Sequence, residues 1–321
     1  MKKLIFTAIF FCMSLVMAFG GNSWKFAVVG DTHVPNAYTI KKIVPKLLED
    51  KVEVVLFVGD LVQGGKGQNA EGMIKELTEW KKLTKPLTDA GIKILAVRGN
   101  HEADVKGNNI EVWEKMISPE LNVLYSYKNI TFIGLDNYIN GERTVDVEWL
   151  SKALDTVKKG NIIVPFGHEP AFSCNTFHPE CLDANPENRN EFWTLIEKYG
   201  AKYYFCGHTH QYNLSEITHE GNTIQQIICG GGGGFLQPKK GGIKETLGYD
   251  IKSVTIKSET GYLLVNVHND KLSTEWIHIY DKNVSKRPDP NKKEISKRHF
   301  QTKNKWHYKI FCVNGKYGIQ V

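Results

Sequence analysis

KFAVVGDTH at 25–33 carries the pattern on which the reading of this chain turns: an apolar run, a glycine, an aspartate and, two residues on, a histidine. The ending recurs. VVLFVGD at 54–60 closes on Gly59 and Asp60, and ILAVRGNH at 94–101 on Gly99, Asn100 and His101. IIVPFGH at 162–168 closes on Gly167 and His168, and YYFCGHTH at 203–210 on Gly207, His208 and His210. The short β-branched and aromatic runs read as buried strands. Amphipathic helical patterns lie at 40–48, 73–83, 147–157 (with Asp146 as its cap) and 192–199. This alternation specifies an α/β fold built from βαβ units.

In an open α/β sheet, ligands bind beyond the carboxyl ends of the strands. Five strand ends bearing polar residues therefore predict one shared crevice, with glycine allowing sharp turns and close backbone approach. Strands at 130–135 and 224–228 complete the sheets without ligands, and Asp136 lacks the preceding glycine. From 249, strand-like runs at 253–257, 262–267 and 274–280 follow one another without a helix, which reads as a sheet edge or small β extension.

Asp31, His33, Asp60, Asn100, His101, His168, His208 and His210 supply carboxylate, amide oxygen and imidazole, donors that suit Mn, Fe or Zn. The Asp-x-His and His-x-His spacings turn two side chains of an extended segment to one side. Eight such groups exceed the needs of one tetrahedral zinc, and two ions roughly 3.5–4 Å apart are a common hydrolytic arrangement. Asp60, the only acid at the end of the second strand, is the candidate bridge.

GDTH at 30–33, GDLV at 59–62, GNHE at 99–102, GHEP at 167–170 and GHTH at 207–210, in that order, resemble the motifs of the calcineurin-like metallophosphoesterase family. The resemblance spans about residues 25–235. It implies a four-layer αββα sandwich of two mixed sheets flanked by helices, and a metal-dependent phosphoric ester hydrolase. It places one ion on Asp31, His33, Asp60 and His210, and a second on Asp60, Asn100, His168 and His208. These would be divalent or mixed-valence ions of Mn, Fe or Zn. His101 resembles the residue near the leaving group, and in-line attack by a metal-bridging hydroxide is the expected chemistry. Gln63 stands where the purple acid phosphatase branch has a metal-binding tyrosine, so the resemblance is to the non-purple group. The substrate is a phosphate ester, monoester or diester. Alternatives are a nuclease or cyclic nucleotide phosphodiesterase and, from another class, a non-catalytic metal-dependent binding protein of the cell surface.

At 321 residues and 41% hydrophobic content the chain is long and apolar enough for a sizeable core. Lys2 and Lys3, an apolar run at 4–16 and small residues near Ala18 and Gly20 form the layout of a signal peptide over 1–20. The expectation is a secreted or periplasmic protein with no transmembrane segment after processing. A metallophosphoesterase domain with a β extension would occupy 22–280, and a basic linker and tail 281–321. That tail holds eleven Lys or Arg against Asp281, Asp289 and Glu294, and so carries about +8 of a chain total of +6. Polyanion contact is one reading of it and a solvated extension the other.

Cys12 leaves with the leader. Of the remaining five cysteines, Cys174 and Cys181 are the expected disulfide, in a segment where His178 is a lesser candidate for the site. Arg98 is read either as a partner of substrate charge or as facing away. The five glycines at 230–234 are read either as phosphate-binding amides or as a turn allowing tight passage.

Overall fold

The computed structural model describes residues 23–174, 180–238, 246–284, 309–313 and 316–320. The expected leader and His178 lie outside these residues. The chain begins with β1 (Ser23–Val29), α1 (Ile40–Glu49), β2 (Val54–Val58), α2 (Ala70–Asp89) and β3 (Lys93–Val97). β1, β2 and β3 are parallel neighbours, as the βαβ pattern requires. Their side chains alternate between two buried faces. Ala27, Val29, Val55 and Phe57 meet Ile43, Leu47, Leu77 and Trp80 of the two helices. Phe26, Val28, Leu56 and Val58 point the other way. Burial on both faces explains why these strands are continuous apolar runs.

Short α3 (Asn100–Ala103) and α4 (Asn109–Met116) lead to the hairpin β4 (Val123–Tyr127) and β5 (Ile130–Leu135). Then come α5 (Val147–Asp155), β6 (Ile162–Gly167), α6 (Pro186–Lys198) and β7 (Tyr203–Cys206). α5 starts where expected, because an Asp146 carboxylate oxygen accepts from the Trp149 amide at 3.0 Å. β8 (Tyr212–His219), β9 (Asn222–Cys229), β10 (Asp250–Lys257), β11 (Gly261–His268) and β12 (Lys271–His278) follow, and β13 (Lys309–Val313) pairs with β14 (Lys316–Gln320) in a separate hairpin.

One sheet runs β12, β11, β1, β2, β3, and the other β10, β8, β9, β7, β6, β5, β4. Both mix parallel and antiparallel neighbours. They pack face to face through Phe26, Phe132, Val164, Phe205 and Leu263, with Phe26 and Phe132 edge to face at 5.2 Å between centroids. Leu150, Leu154, Phe192 and Trp193 of α5 and α6 cover the second sheet's outer face. The layers are helix, sheet, sheet, helix, the expected sandwich.

Two sequence readings change. The strands beyond 249 are more than margin: β10 and β12 are edges, but β11 lies inside the first sheet beside β1, with Leu264 opposite Ala27 and Tyr262, Leu263 and Val265 buried. The expected Cys174–Cys181 disulfide is absent, and both are free buried thiols. Cys174 Sγ packs on Ser215 Oγ at 3.3 Å, whereas Cys181 Sγ accepts from the Asp183 amide at 3.4 Å as it opens a 3-10 turn. Each sulfur is thus occupied with its own neighbours.

Candidate metal centre

The carboxyl ends of β1, β2 and β3 in one sheet and of β6 and β7 in the other meet at one edge of the sandwich. Each brings its motif. The glycines matter because ligands from neighbouring loops pass where a side chain would stand: a Cβ on Gly59 would strike His168, one on Gly99 would strike Asp60, and one on Gly207 would strike Asp31. Four of the expected ligands also sit in the left-handed backbone region, Asp31 at φ 60°, His33 at 46°, Asp60 at 50° and His208 at 64°. Such conformations are unfavourable for residues with a side chain and cluster at functional sites.

The seven expected ligands converge. Asp31, His33, Asp60 and His210 each offer a donor atom within 4.8 Å of the others. His33 Nε2 lies 3.0 Å from His210 Nε2, and His210 Nε2 lies 3.5 Å from Asp31 Oδ1. On the other side, Asn100 Oδ1 is 3.1 Å from His168 Nε2 and 3.0 Å from His208 Nδ1. Asp60 lies between the two groups: Oδ2 is 3.6 Å from His33 Nε2 and Oδ1 is 3.5 Å from His168 Nε2.

The donor chemistry fits cations. His168 Nδ1 is 2.8 Å from the Val58 carbonyl, which requires a proton on that nitrogen. In the neutral ring Nε2 then carries a lone pair, and this faces the oxygens of Asn100 and Asp60. Three acceptor atoms turned toward one point repel unless a positive charge lies between them. His210 is held in the same way, with Nδ1 2.9 Å from the Phe235 carbonyl and Nε2 facing the centre. Burial and the neighbouring His210 push the His33 pKa well down, which favours its neutral, ligating form. Burial and Asp60 push the Asp31 carboxyl well above its usual range. For Asp60 burial acts upward, but His168, His101 and His33 outweigh it and hold the carboxyl at about 2.

His101 stands at the rim, with Nε2 4.0 Å from Asp60 Oδ2 and its amide donating to Asp60 Oδ1 at 2.9 Å. Its Nδ1 bonds the Gln63 carbonyl. Burial opposes its protonated form, yet Asp60 and that carbonyl raise its pKa overall.

Two groups went unassigned at the level of sequence although both lie inside quoted motifs. Buried Glu102 accepts from the amides of Asp60 at 3.0 Å, Gly99 at 2.7 Å and Val62 at 3.0 Å, tying the second and third ligand loops together. Burial and Asp60 push its carboxyl up to about 8. Buried Glu169 accepts from Tyr138 Oη at 2.6 Å and lies behind His208, with Oε2 3.6 Å from Nε2. An acid within a ligand motif was the available signal for both.

The two open readings resolve. Arg98 is buried and grips Asp136 through Nε at 2.6 Å and a terminal nitrogen at 3.1 Å, so it faces away from the site. The glycine run is a tight passage: Gly232 N donates to the Gly30 carbonyl at 2.8 Å and Gly234 N to the Asp31 carbonyl at 3.1 Å.

A two-sheet α/β sandwich that gathers carboxylate, amide and imidazole groups at its strand ends defines a protein built to hold metal ions. A model of the calcineurin-like phosphoesterase family matches residues 25–212. The chain belongs to that family and is a metal-dependent phosphoric ester hydrolase. Solved structures share the fold at low identity. Purple acid phosphatase PPD1 from yellow lupin (Lupinus luteus) seeds has a TM-score of 0.62 and 17% identity, with 80% of this chain and 52% of that chain covered. GAP50, the anchor in the inner membrane complex of Plasmodium, has a TM-score of 0.59 and 16% identity, with 83% and 90% covered. PhoD has a TM-score of 0.52 and 12% identity, with 82% and 73% covered. The match thus spans about half the length of the lupin enzyme. No curated protein matches the sequence. Among the described residues, no helix is long and apolar enough to cross a membrane.

Proposed function

We propose that this protein is an exported phosphohydrolase that holds two metal ions, one on Asp31, His33, Asp60 and His210 and the other on Asp60, Asn100, His168 and His208. The observation that carries this is the placement of Asp60, whose two oxygens face histidines of separate groups. Bound ions of this kind acidify water and offset charge on phosphate. The chain's own residues do the rest. Asp60 holds both groups in register, and the Val58 and Phe235 carbonyls fix the rings of His168 and His210. Glu102 keeps the two central loops from drifting. In hydrolysis a water oxygen joins phosphorus while the bond to the ester oxygen breaks, and that oxygen leaves as an alcohol after taking a proton. His101 Nε2, at the rim, is the group that supplies it.

The test is an assay of the full chain loaded with Mn, Fe or Zn on an aryl phosphate monoester and a diester, with metal content measured in parallel. Turnover with close to two ions per chain is expected, and the faster substrate assigns the ester class. Bound metal without turnover on either ester would refute the reading. Export rests on the leader pattern at 1–20. Protein recovered outside the cytoplasm should begin after Ala18 or Gly20, and recovery only of chains that retain Met1 would oppose export.

A further inference from the structure

His33, Asp60, Asn100, His208 and His210 line a cavity of about 510 Å³. Apart from the groups already placed, its described lining is neutral except for Asp281, and that carboxylate is taken up by Thr39 at 2.9 Å and Lys42 at 3.1 Å. Amides of Asn36, Gln63, Gln237 and Asn283 and the rings of Tyr38 and Phe235 make up much of the wall.

Phe235 stands out. It is 64% exposed, although Leu236 and Gln237 beside it are buried at 3% and 2%. Its backbone is held on both sides and at its own carbonyl. Gly234 N is bonded to the Asp31 carbonyl, the Phe235 carbonyl accepts from His210 Nδ1, and Gln237 N donates to the His210 carbonyl at 2.8 Å. The loops that carry the ligands therefore hold the backbone of this exposed aromatic residue at the cavity wall. Tyr38, on the segment after His33, is 39% exposed and is held by Glu79 at 2.8 Å and by Lys41 over its ring at 4.0 Å. Aromatic faces that a fold leaves open beside a site are stacking platforms for flat ligands.

We infer that the site takes phosphate esters whose alcohol part carries a flat ring, an aryl or nucleoside group, and that Phe235 is the surface on which this ring stacks. The inference rests on the hydrolytic reading of the metal centre. The neutral amides around the two rings suit an uncharged, hydrogen-bonding group beyond the phosphate.

The experiment compares the metal-loaded full chain with Phe235→Ala, Phe235→Leu and Phe235→Trp on phenyl phosphate, a nucleoside monophosphate and glycerol 2-phosphate. Loss of the ring should raise KM for the ring-bearing substrates about tenfold, the scale of one lost stacking contact, with kcat little changed. The preference of kcat/KM for ring-bearing over aliphatic ester should fall by the same factor. Phe235→Trp should restore it and Phe235→Leu should not. The phenyl and nucleoside arms show which ring the wall favours. An equal effect on glycerol 2-phosphate, or none on any substrate, would overturn the inference. Calorimetric titration with phenylphosphonate, which has no ester bond to cleave, against inorganic phosphate reads the same contact without turnover: weaker phenylphosphonate binding in Phe235→Ala, with inorganic phosphate unaffected, supports stacking even where the hydrolytic reading fails. Equal losses for both ligands, or none, oppose it.

Discussion

The two groups of ligands that Asp60 joins are not alike. Asp31, His33 and His210 form a group with two carboxylates when Asp60 is counted, and the His210 side chain is 15% exposed toward the cavity. Asn100, His168 and His208 share the Asp60 carboxylate and add a neutral amide, with the His168 side chain fully buried. The first group therefore offsets more positive charge than the second. The difference teaches that a pair of ions bound here would be inequivalent in charge, one position facing two carboxylates and the other a single carboxylate with a neutral amide.

Asp60→Asn should do most to erase the comparison, because it takes a charge from both groups at once. We expect turnover to fall by at least about 10³-fold and bound metal to drop, read by steady-state kinetics and elemental analysis. Full metal content with normal rates would remove Asp60 from the bridge. Next, His101→Asn should lower kcat by about 10²–10⁴-fold with both ions retained, since it supplies a proton and no ligand. Loss of both ions would assign His101 to ligation instead.

Smaller changes should separate the halves. Glu102→Gln turns an amide nitrogen toward backbone N–H groups from which the carboxylate now accepts, and Glu169→Gln removes the charge behind His208 that also accepts from Tyr138. Each should cost about 10–100-fold in metal affinity or activity. Metal titration should show Glu169→Gln weakening one ion alone, while Glu102→Gln disturbs both through Asp60; identical binding curves for the two variants would make the halves equivalent. Asp146→Ala, which removes no ligand and only a helix cap, should leave kcat unchanged and cost about 1 kcal/mol in a denaturation curve.

The strands that feed the site were legible because burial on both faces makes them unbroken apolar runs, and the convergence of the proposed ligands because each group of them starts directly after a glycine. β4 and β8 were not. β4 is an edge strand with half-buried, mixed side chains, and β8 starts two residues after His210, so its run merges with the motif before it. α3 and α4 were hidden for a related reason: four and eight residues give too few turns for a period to emerge. The place of β11 was illegible because pairing across the chain leaves no local mark. The supporting role of Glu102 depends on three amides brought together by the fold, and the free thiol of Cys174 on Ser215, far along the chain, whereas Cys181 is held by the nearby Asp183 amide.

β1 pairs with β11 from Ser23 opposite His268 onward, a separation of 245 residues. Every proposed ligand has been synthesised by His210, yet the first strand cannot gain its second neighbour until synthesis passes Gly261. Completion of the sheet that carries β1 therefore waits for a segment made after all the donors. A nascent chain stalled before Gly261 would present the open flank of β1 to chaperones, to export factors, or to another unfinished copy.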